Sequence, residues 1–315
     1  MSYSYFIGID IGKDSFDVAV HAIAAKPQRF PNSGEGFAAM MATLEEFLPG
    51  SLVVIEATGG YESALIAVLC ASRLAVHRVQ PLTARHYMRS LRCFGKNDAL
   101  DAIALARYGA ERHESLRLFT PADDTQQALI DLHTRRDDLV AMRAAETARL
   151  KHPRYSRLGD CVKEICTVLD RRIADIEQRI QELIESDDKL RARKEVLCAF
   201  KGIGNVTATT LIAAMPELGT LTRRQAASLA GLAPHPNDSG KHQGYRATRG
   251  GRAAVRKALF MAALSAKLYN PQLKTFYERL VNAGKKPIVA LIATMRKMIV
   301  ILNAKMRDEL FAKTW

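Results

Sequence analysis

The sequence has few cysteines and gives them no pattern that indicates a structural role. The five cysteines of the 315-residue chain form no Cys-x-x-Cys pair and leave one over, so a disulfide framework is not expected. Cys161 and Cys166 lie five apart with no second pair, which is not the spacing of a zinc site. We expect reduced cytosolic thiols that are mostly buried.

Long hydrophobic runs are also scarce. The longest apolar stretches, Pro287 to Thr294 and Met298 to Leu302, are too short or too interrupted to be expected to span a bilayer. The first ten residues, MSYSYFIGID, lack the basic start and apolar core of a signal peptide. We therefore expect no membrane partner.

Acidic residues are outnumbered by basic ones. The chain has 46 Lys and Arg against 33 Asp and Glu, with a formal net charge of +13 and a pI of about 9.6. The run from Ser239 to Lys257 contains six Lys or Arg and no acid. An excess of this size favours a polyanionic partner, and nucleic acid is preferred once a membrane is set aside.

The hydrophobic pattern predicts an α/β domain followed by helices. Two short runs, Tyr5–Ile9 and Phe16–Val20, predict a hairpin, and later strands at Ser51–Ala57 and Ala75–Val79 alternate with helical segments such as Gly36–Leu48. The predicted domains are 1–125, an α/β domain; 126–192, a helical connector; and 193–315, a mainly helical domain with a Gly- and Pro-containing loop near 233–251.

The connector contains a heptad pattern. Apolar residues fall at steps of 4 and 3 between Val162 and Leu183, with charged residues in the gaps, which is typical of a coiled-coil seam. Three heptads are near the lower limit for this interpretation. Two alternatives remain open: a helical hairpin packed within one chain, and self-association of two chains.

Four carboxylates form the main candidate site. Asp10 and Glu56 each stand at the end of a predicted strand, and such ends converge at one edge of an open α/β sheet. Asp98 and Asp101 are three apart, so they share one face of a helix. Oxygen ligands without His or Cys favour Mg²⁺ or Mn²⁺, and a pair of ions suits displacement at a phosphodiester. Taken singly, each acid is an ordinary surface residue.

A basic stripe precedes the helical acid pair. Its members step by 4, 3 and 4 along one helix face with no acid between them: Arg85, Arg89, Arg92 and Lys96. A solvated helix face is the ordinary explanation for such a stripe. Its position beside the Asp98 and Asp101 pair favours phosphate binding instead.

A helix-hairpin-helix pattern opens the third region. In LCAFKGIGNVTATTL, Gly202 and Gly204 allow the backbone to approach a phosphate, which the amides at the start of the next helix would face. The alternative is a tight turn between helices with no ligand.

Three amino-terminal motifs carry a family resemblance. GIDIGKDSFDV, IEATGGY and KNDALDA, in this order, resemble the catalytic domain of the DEDD transposases of bacterial insertion sequences, relatives of the pilin-gene invertase. That domain is similar to the Holliday-junction resolvase RuvC and implies an RNase H fold. The resemblance implies that Asp10, Glu56, Asp98 and Asp101 are the metal ligands. The chain departs from the family at Asn97 and Ala99, where the family usually has Thr and a polar or charged residue.

The carboxy-terminal region resembles the same family in its GIG, Gly-Leu-x-Pro and Ser-Gly elements. By composition alone, Asn-Asp-Ser-Gly is a turn, and Ser239 would be a turn residue. The resemblance instead implies that Ser239 is the nucleophile. The basic residues that follow would then hold the scissile strand: Lys241, Arg246, Arg249 and Arg252.

The resemblance implies a DNA transposase or site-specific recombinase that exchanges strands through a phosphoserine intermediate. It also implies a structured noncoding guide RNA, donor and target DNA as partners, and an assembly of at least two chains, with tetramers in the family. Two alternatives remain: a metal-dependent, structure-selective nuclease in which water attacks, and a DNA- or RNA-binding scaffold without activity.

Overall fold

A computed structural model describes residues 3–23, 26–91, 97–240, 242–244 and 246–312. The chain forms two compact units, Met1–Pro121 and Ala122–Trp315. The predicted α/β class of the first part and the helical class of the remainder are confirmed. A further division of the second unit near residue 192 stays a prediction.

The first unit is built on a five-stranded sheet in the order β3-β2-β1-β4-β5. The β1, β2 and β3 strands are antiparallel neighbours, whereas β4 and β5 run parallel to β1. The predicted hairpin and the strand at residues 75–79 are confirmed, but the short edge strand β3 was not predicted. The strands are β1 Tyr5–Ile11, β2 Ser15–Val20, β3 Gln28–Pro31, β4 Ser51–Glu56 and β5 Ala75–Val79.

Four α-helices accompany this sheet in the described residues. The first helix ends at Thr43, earlier than the predicted Leu48, and a series of turns follows it. The sheet core is formed by β-branched and aromatic side chains such as Ile9, Phe16 and Ile55. The helices are α1 Gly34–Thr43, α2 Ser63–Ala71, α3 Pro81–Ser90 and α4 Asp98–Arg112.

The α4 helix lies directly against β1 because Gly8 has no side chain. A Cβ at Gly8 would overlap the carbonyl oxygen of Ala102 and the amide nitrogen of Ala106. Ala102 and Ala106 are themselves buried. A small residue in the strand and small residues in the helix therefore set the distance between α4 and the sheet.

Replacing Gly8 with alanine is expected to destabilise the first unit. The added methyl group meets backbone atoms of α4 rather than a flexible side chain, so the cost should reach about 3 kcal/mol, the upper end for an overpacked core. Urea unfolding measures it. Gly34→Ala is the matched control, since a Cβ there meets nothing within 4 Å. Equal stabilities for the two variants would contradict this explanation of the packing.

The second unit begins with a long antiparallel helical hairpin, α5 Asp124–Leu150 and α6 Gly159–Ser186. Ion pairs join the two helices at Arg136–Glu177, 2.8 Å, and Arg143–Asp170, 2.6 Å. The residues of the predicted heptad seam are buried or half-buried on α6, among them Val162 and Ile180. The intrachain hairpin, one of the two alternatives left open, is therefore present.

The remainder of the second unit is a helical core. Its helices are α7 Asp188–Cys198, α8 Asn205–Ala214, α9 Arg223–Leu229, α10 Ala253–Tyr269, α11 Pro271–Asn282 and α12 Pro287–Ala312. The predicted loop near 233–251 contains a short, unpredicted ribbon, β6 Asp238–Ser239 and β7 His242–Gln243.

The apolar stretches predicted to be too short for a membrane span belong to one helix, α12. By length and composition alone, Pro287–Glu309 could cross a bilayer, so the expectation based on length was wrong. Its apolar face is nevertheless part of the core of the second unit, with Leu291, Met298 and Leu302 buried against α10 and its neighbours.

The cysteines are less buried than expected. Cys161 is exposed, whereas Cys70, Cys166 and Cys198 are half-buried. These four are free thiols, and Cys93 lies outside the described residues. The prediction that most cysteines are buried was wrong.

Candidate active site

Asp10 and Glu56 lie side by side at one edge of the sheet. β1 and β4 are parallel, and their register pairs Ile9 with Ile55, so the two acids are the next residues on each strand. Asp10 faces Asp17 across the antiparallel β1–β2 pair. The convergence of Asp10 and Glu56 that the strand ends predicted is therefore present.

Asp98 and Asp101 lie in the first turn of α4. Asn97 caps this helix, since its side-chain oxygen accepts a hydrogen bond of 3.1 Å from the amide of Ala99. Acidic side chains are favourable in the first turn because the free amides there carry positive partial charge. Asn97 thus has a local structural role at the position where the chain departs from the family pattern.

All four predicted acids line one cavity of about 830 Å³ in the first unit. Burial, together with repulsion from Asp101, Glu56, Asp98 and Asp17, raises the pKa of Asp10 to about 7. The pKa of Glu56 is raised by burial and by Asp101, and Arg85 partly opposes the shift. The cavity therefore holds more negative charge than its own cations neutralise.

The donor chemistry of this cavity fits a hard divalent cation. All of its candidate ligands are carboxylate oxygens, the type that Mg²⁺ and Mn²⁺ prefer, and six acidic residues line the cavity against three basic ones. Across the described ranges, no three His, Cys, Asp or Glu side chains are grouped tightly enough to hold a metal ion. The acids thus share a cavity without forming a closed ligand cluster.

Two of the four residues of the predicted basic stripe lie in the described part of the chain. Arg85 and Arg89, both exposed on α3, line the cavity with the acids, together with Lys13. Arg92 and Lys96 lie outside the described residues.

Tyr87, on the same helix, packs rather than facing the cavity. Its hydroxyl group donates to Glu111 over 2.9 Å, and its ring meets Tyr108 edge-on. Burial and the Glu111 bond raise the pKa of Tyr87 to about 12.

Three site residues were missed by sequence reasoning. Asp17 and Arg29 form an ion pair at the cavity, and Arg29 also bonds to Asp98. Neither residue belongs to a recognisable spacing, since their contact depends on the register of β2 with the unpredicted strand β3.

Glu62, the third, organises the loop after Glu56. It is 1% exposed, and its Oε2 accepts from the amides of Thr58, 3.0 Å, and Gly60, 2.9 Å. Its Oε1 lies 3.2 Å from Nε of Arg78, an ion pair without hydrogen-bond geometry. The sequence IEATGGYE could have revealed Glu62 as a carboxylate placed to satisfy the amides of a glycine turn.

The glycine hairpin of the second unit joins α7 to α8. Gly202 has φ +107°, and a Cβ there would lie 2.6 Å from that of Ala266, so glycine is required by both conformation and packing. Gly204 precedes the first turn of α8 and meets nothing within 4 Å. Gly204 and the following amides are thus the open part of the motif.

Ser239 lies in β6, exposed, next to Gly240 with φ +55°. The nearby arginines differ in their contacts. Arg246 pairs with Asp238 at 3.0 Å, and Arg249 is exposed. Lys241 lies outside the described residues.

Arg252 was predicted to bind phosphate, but its guanidinium is engaged within the chain. It donates to both carboxylate oxygens of Glu217, at 2.6 and 2.7 Å, and to the carbonyl of Ala214 at 2.8 Å. This bidentate pair ties the start of α10 to the segment after α8, so the visible role of Arg252 is structural.

Comparison with known proteins gives the class of the chain as transposase. A family model described as transposase, for DEDD enzymes of the IS110 type, matches residues 7–152, which include all four acids. A second model, described as transposase of the IS116/IS110/IS902 family, matches residues 194–278, which include the glycine hairpin and Ser239.

Full-length relatives agree with these matches. The pilin gene-inverting protein of Moraxella bovis is 30% identical over 98% of this chain and 97% of its own length. An uncharacterized 42 kDa protein of insertion element IS900 from Mycobacterium paratuberculosis is 24% identical over the same shares. The chain belongs to the IS116/IS110/IS902 family of transposases, enzymes that cleave and exchange DNA strands.

Proposed function

We propose that this transposase cuts DNA by attack of Ser239 on a phosphodiester, with divalent cations held by Asp10, Glu56, Asp98 and Asp101. The observation that carries the proposal is the gathering of these four acids around one cavity, where acidic lining residues outnumber basic ones. The exposed position of Ser239 on a tight ribbon, within the region matched by the second family model, supports its role.

The proposed chemistry balances as a transesterification. The Oγ atom of Ser239 bonds to phosphorus, the bond from phosphorus to one bridging sugar oxygen breaks, and that oxygen takes up a proton. The serine proton leaves to solvent. Mg²⁺, or Mn²⁺ in its place, would supply positive charge to the attacking and leaving oxygens when bound. Arg85 and Arg89 line the same cavity and would pair with neighbouring phosphates.

The products distinguish this proposal from its main alternative. A water-using nuclease releases free ends, whereas serine attack leaves the strand attached to protein. With DNA, guide RNA and Mg²⁺, denaturing electrophoresis should show a slow-migrating, protease-sensitive adduct. Cleavage that yields only free ends would favour the nuclease, and no divalent-dependent cleavage at all would favour a binding scaffold.

The proposed partners are donor DNA, target DNA and a structured noncoding guide RNA, in the bacterial cytoplasm near the nucleoid. The net charge of +13 suits a large polyanionic surface of either kind. Pairing by a guide would deliver sequence specificity without a dedicated groove-reading helix.

We also propose that the chain assembles into dimers and tetramers through the α5–α6 hairpin. Large apolar side chains are exposed toward its far end, including Met142, 49%, Val168, 50%, and Ile165, 41%. A second copy of the chain would cover them.

Negative charge introduced on the exposed apolar surface of the α5–α6 hairpin should dissociate the assembly. Ile165→Asp combined with Val168→Asp is expected to give monomers in light scattering, because burying two unpaired carboxylates costs several kcal/mol. Ala174→Asp is the matched control, since Ala174 is exposed on another side of the same helix. An unchanged mass for the double variant would exclude this surface.

A further inference from the structure

An unpredicted ion-pair network reaches one of the four acids. Arg29 lies on β3 directly opposite Asp17 on β2. Its Nε and Nη2 atoms donate to Oδ2 of Asp17 at 3.0 and 2.7 Å. The same Nη2 donates to Oδ2 of Asp98 at 2.9 Å. One guanidinium thus links the sheet to the first turn of α4.

The sheet end of this network is fixed and its charge is compensated. The Asp17 side chain is only 7% exposed, and Nε and Nη2 of Arg29 both donate to its Oδ2 atom, which makes the bonds charge-assisted. A buried carboxylate needs such a partner. Because Asp17 neutralises Arg29, the pair brings a hydrogen-bond donor to the cavity without adding net charge.

The other end of the network contacts Asp98, the most exposed of the four acids. The Asp98 side chain is 58% exposed and stands at the first residue of α4. Arg29 contacts this carboxylate through its Oδ2 atom. Ligating carboxylates are commonly oriented in this way by a hydrogen bond from outside the ligand set.

We propose that Arg29, anchored by Asp17, is a positioning residue that orients Asp98 toward a divalent cation. The inference rests on the proposed function, since it presumes that Asp98 is a ligand. A competing possibility is that Arg29 occupies Asp98 in place of the cation. The two possibilities predict opposite changes in cation affinity when Arg29 is removed.

The test measures Mn²⁺ binding to the full chain without DNA, by titration calorimetry and electron paramagnetic resonance. Arg29→Gln should weaken Mn²⁺ binding about 10- to 100-fold, the usual loss when a residue that hydrogen-bonds to a metal ligand is removed. Loss of a positive charge alone would strengthen Mn²⁺ binding. Weaker binding by Arg29→Gln therefore indicates that Arg29 positions Asp98. Arg107→Gln is the matched control, because it removes a charge from an ion pair with Glu111 on α4 that does not line the cavity. It should leave binding unchanged.

Arg29→Gln leaves Asp17 buried without its partner and can impair folding. The double variant Asp17→Asn with Arg29→Gln removes that unpaired charge and also removes the anchored donor, so it should show the same loss of Mn²⁺ affinity. Urea unfolding without metal confirms the fold of each variant.

Glu56→Gln separates this inference from the proposed metal site. If Glu56→Gln weakens Mn²⁺ binding while both Arg29 variants bind normally or more tightly, the positioning role is overturned and the metal site stands. If Glu56→Gln has no effect, the metal site itself is wrong.

Discussion

Ser239→Ala is expected to abolish the DNA–protein adduct and to reduce strand cleavage at least about 10³-fold, the scale seen when a nucleophile is removed from an enzyme. The substitution deletes one exposed hydroxyl group on the β6–β7 ribbon, so it should leave folding and nucleic-acid affinity nearly unchanged. Denaturing electrophoresis measures the adduct, and a filter-binding assay measures affinity.

The matched control is Ser228→Ala. Ser228 is also an exposed serine of the second unit, on α9, and its replacement should leave cleavage intact. Full cleavage by Ser239→Ala would assign the attack to water and favour the nuclease. Loss of cleavage in both variants would show that the assay reports general damage.

Asp10→Asn should have opposite effects on activity and on metal-free stability. In Mg²⁺, loss of a ligand should lower cleavage about 10³-fold, since metal stabilisation of a reacting phosphate is worth several kcal/mol. Without metal, the variant should be more stable than the parent at pH 8. It removes the carboxyl group that burial and four neighbouring acids hold in an unfavourable charged state.

The shifted pKa of Asp10 sets how its contribution to the free energy of unfolding changes with pH. The pKa of Asp10 rises from 3.8 in the unfolded reference to about 7 in the fold, so between these values the folded chain binds more protons. Its contribution therefore favours folding at low pH and is lost as pH rises through 7. Solvent reaches the group, and screening limits the effect to about 1–2 kcal/mol.

Thermal unfolding in EDTA at pH 5 and pH 8 measures the difference. The parent should lose more stability between the two values than Asp10→Asn, by about 2–4 °C in Tm. Added Mg²⁺ should raise the Tm of the parent and not that of the variant. Ser239→Ala is the control here, because it leaves the carboxylates in place. If Asp10→Asn is less stable than the parent in the absence of metal, the cavity does not hold an excess of negative charge.

The placement of the acids could be predicted because it follows from local rules. Asp10 and Glu56 end parallel strands, and the spacing of Asp98 and Asp101 fixes a shared helix face. That α4 brings its pair to the sheet edge depends on Gly8, whose role becomes visible only through backbone contacts with Ala102 and Ala106.

The contacts that sequence reasoning missed are set by tertiary pairing. Arg29 faces Asp17 through a four-residue edge strand that ends in proline and carries little strand signal. Arg252 belongs to a basic run, yet it pairs with Glu217, 35 positions earlier in the chain. Charge clustering along a sequence does not reveal which cations already have an acidic partner.

We propose that an alcohol of this chain, rather than water, attacks the phosphodiester. The most direct measurement is mass spectrometry of the nucleotide-bearing peptide after digestion of the DNA adduct. One phosphodiester-linked site is expected, on Ser239. A nucleotide on a tyrosine or another serine, or complete cleavage with no modified peptide, would contradict it.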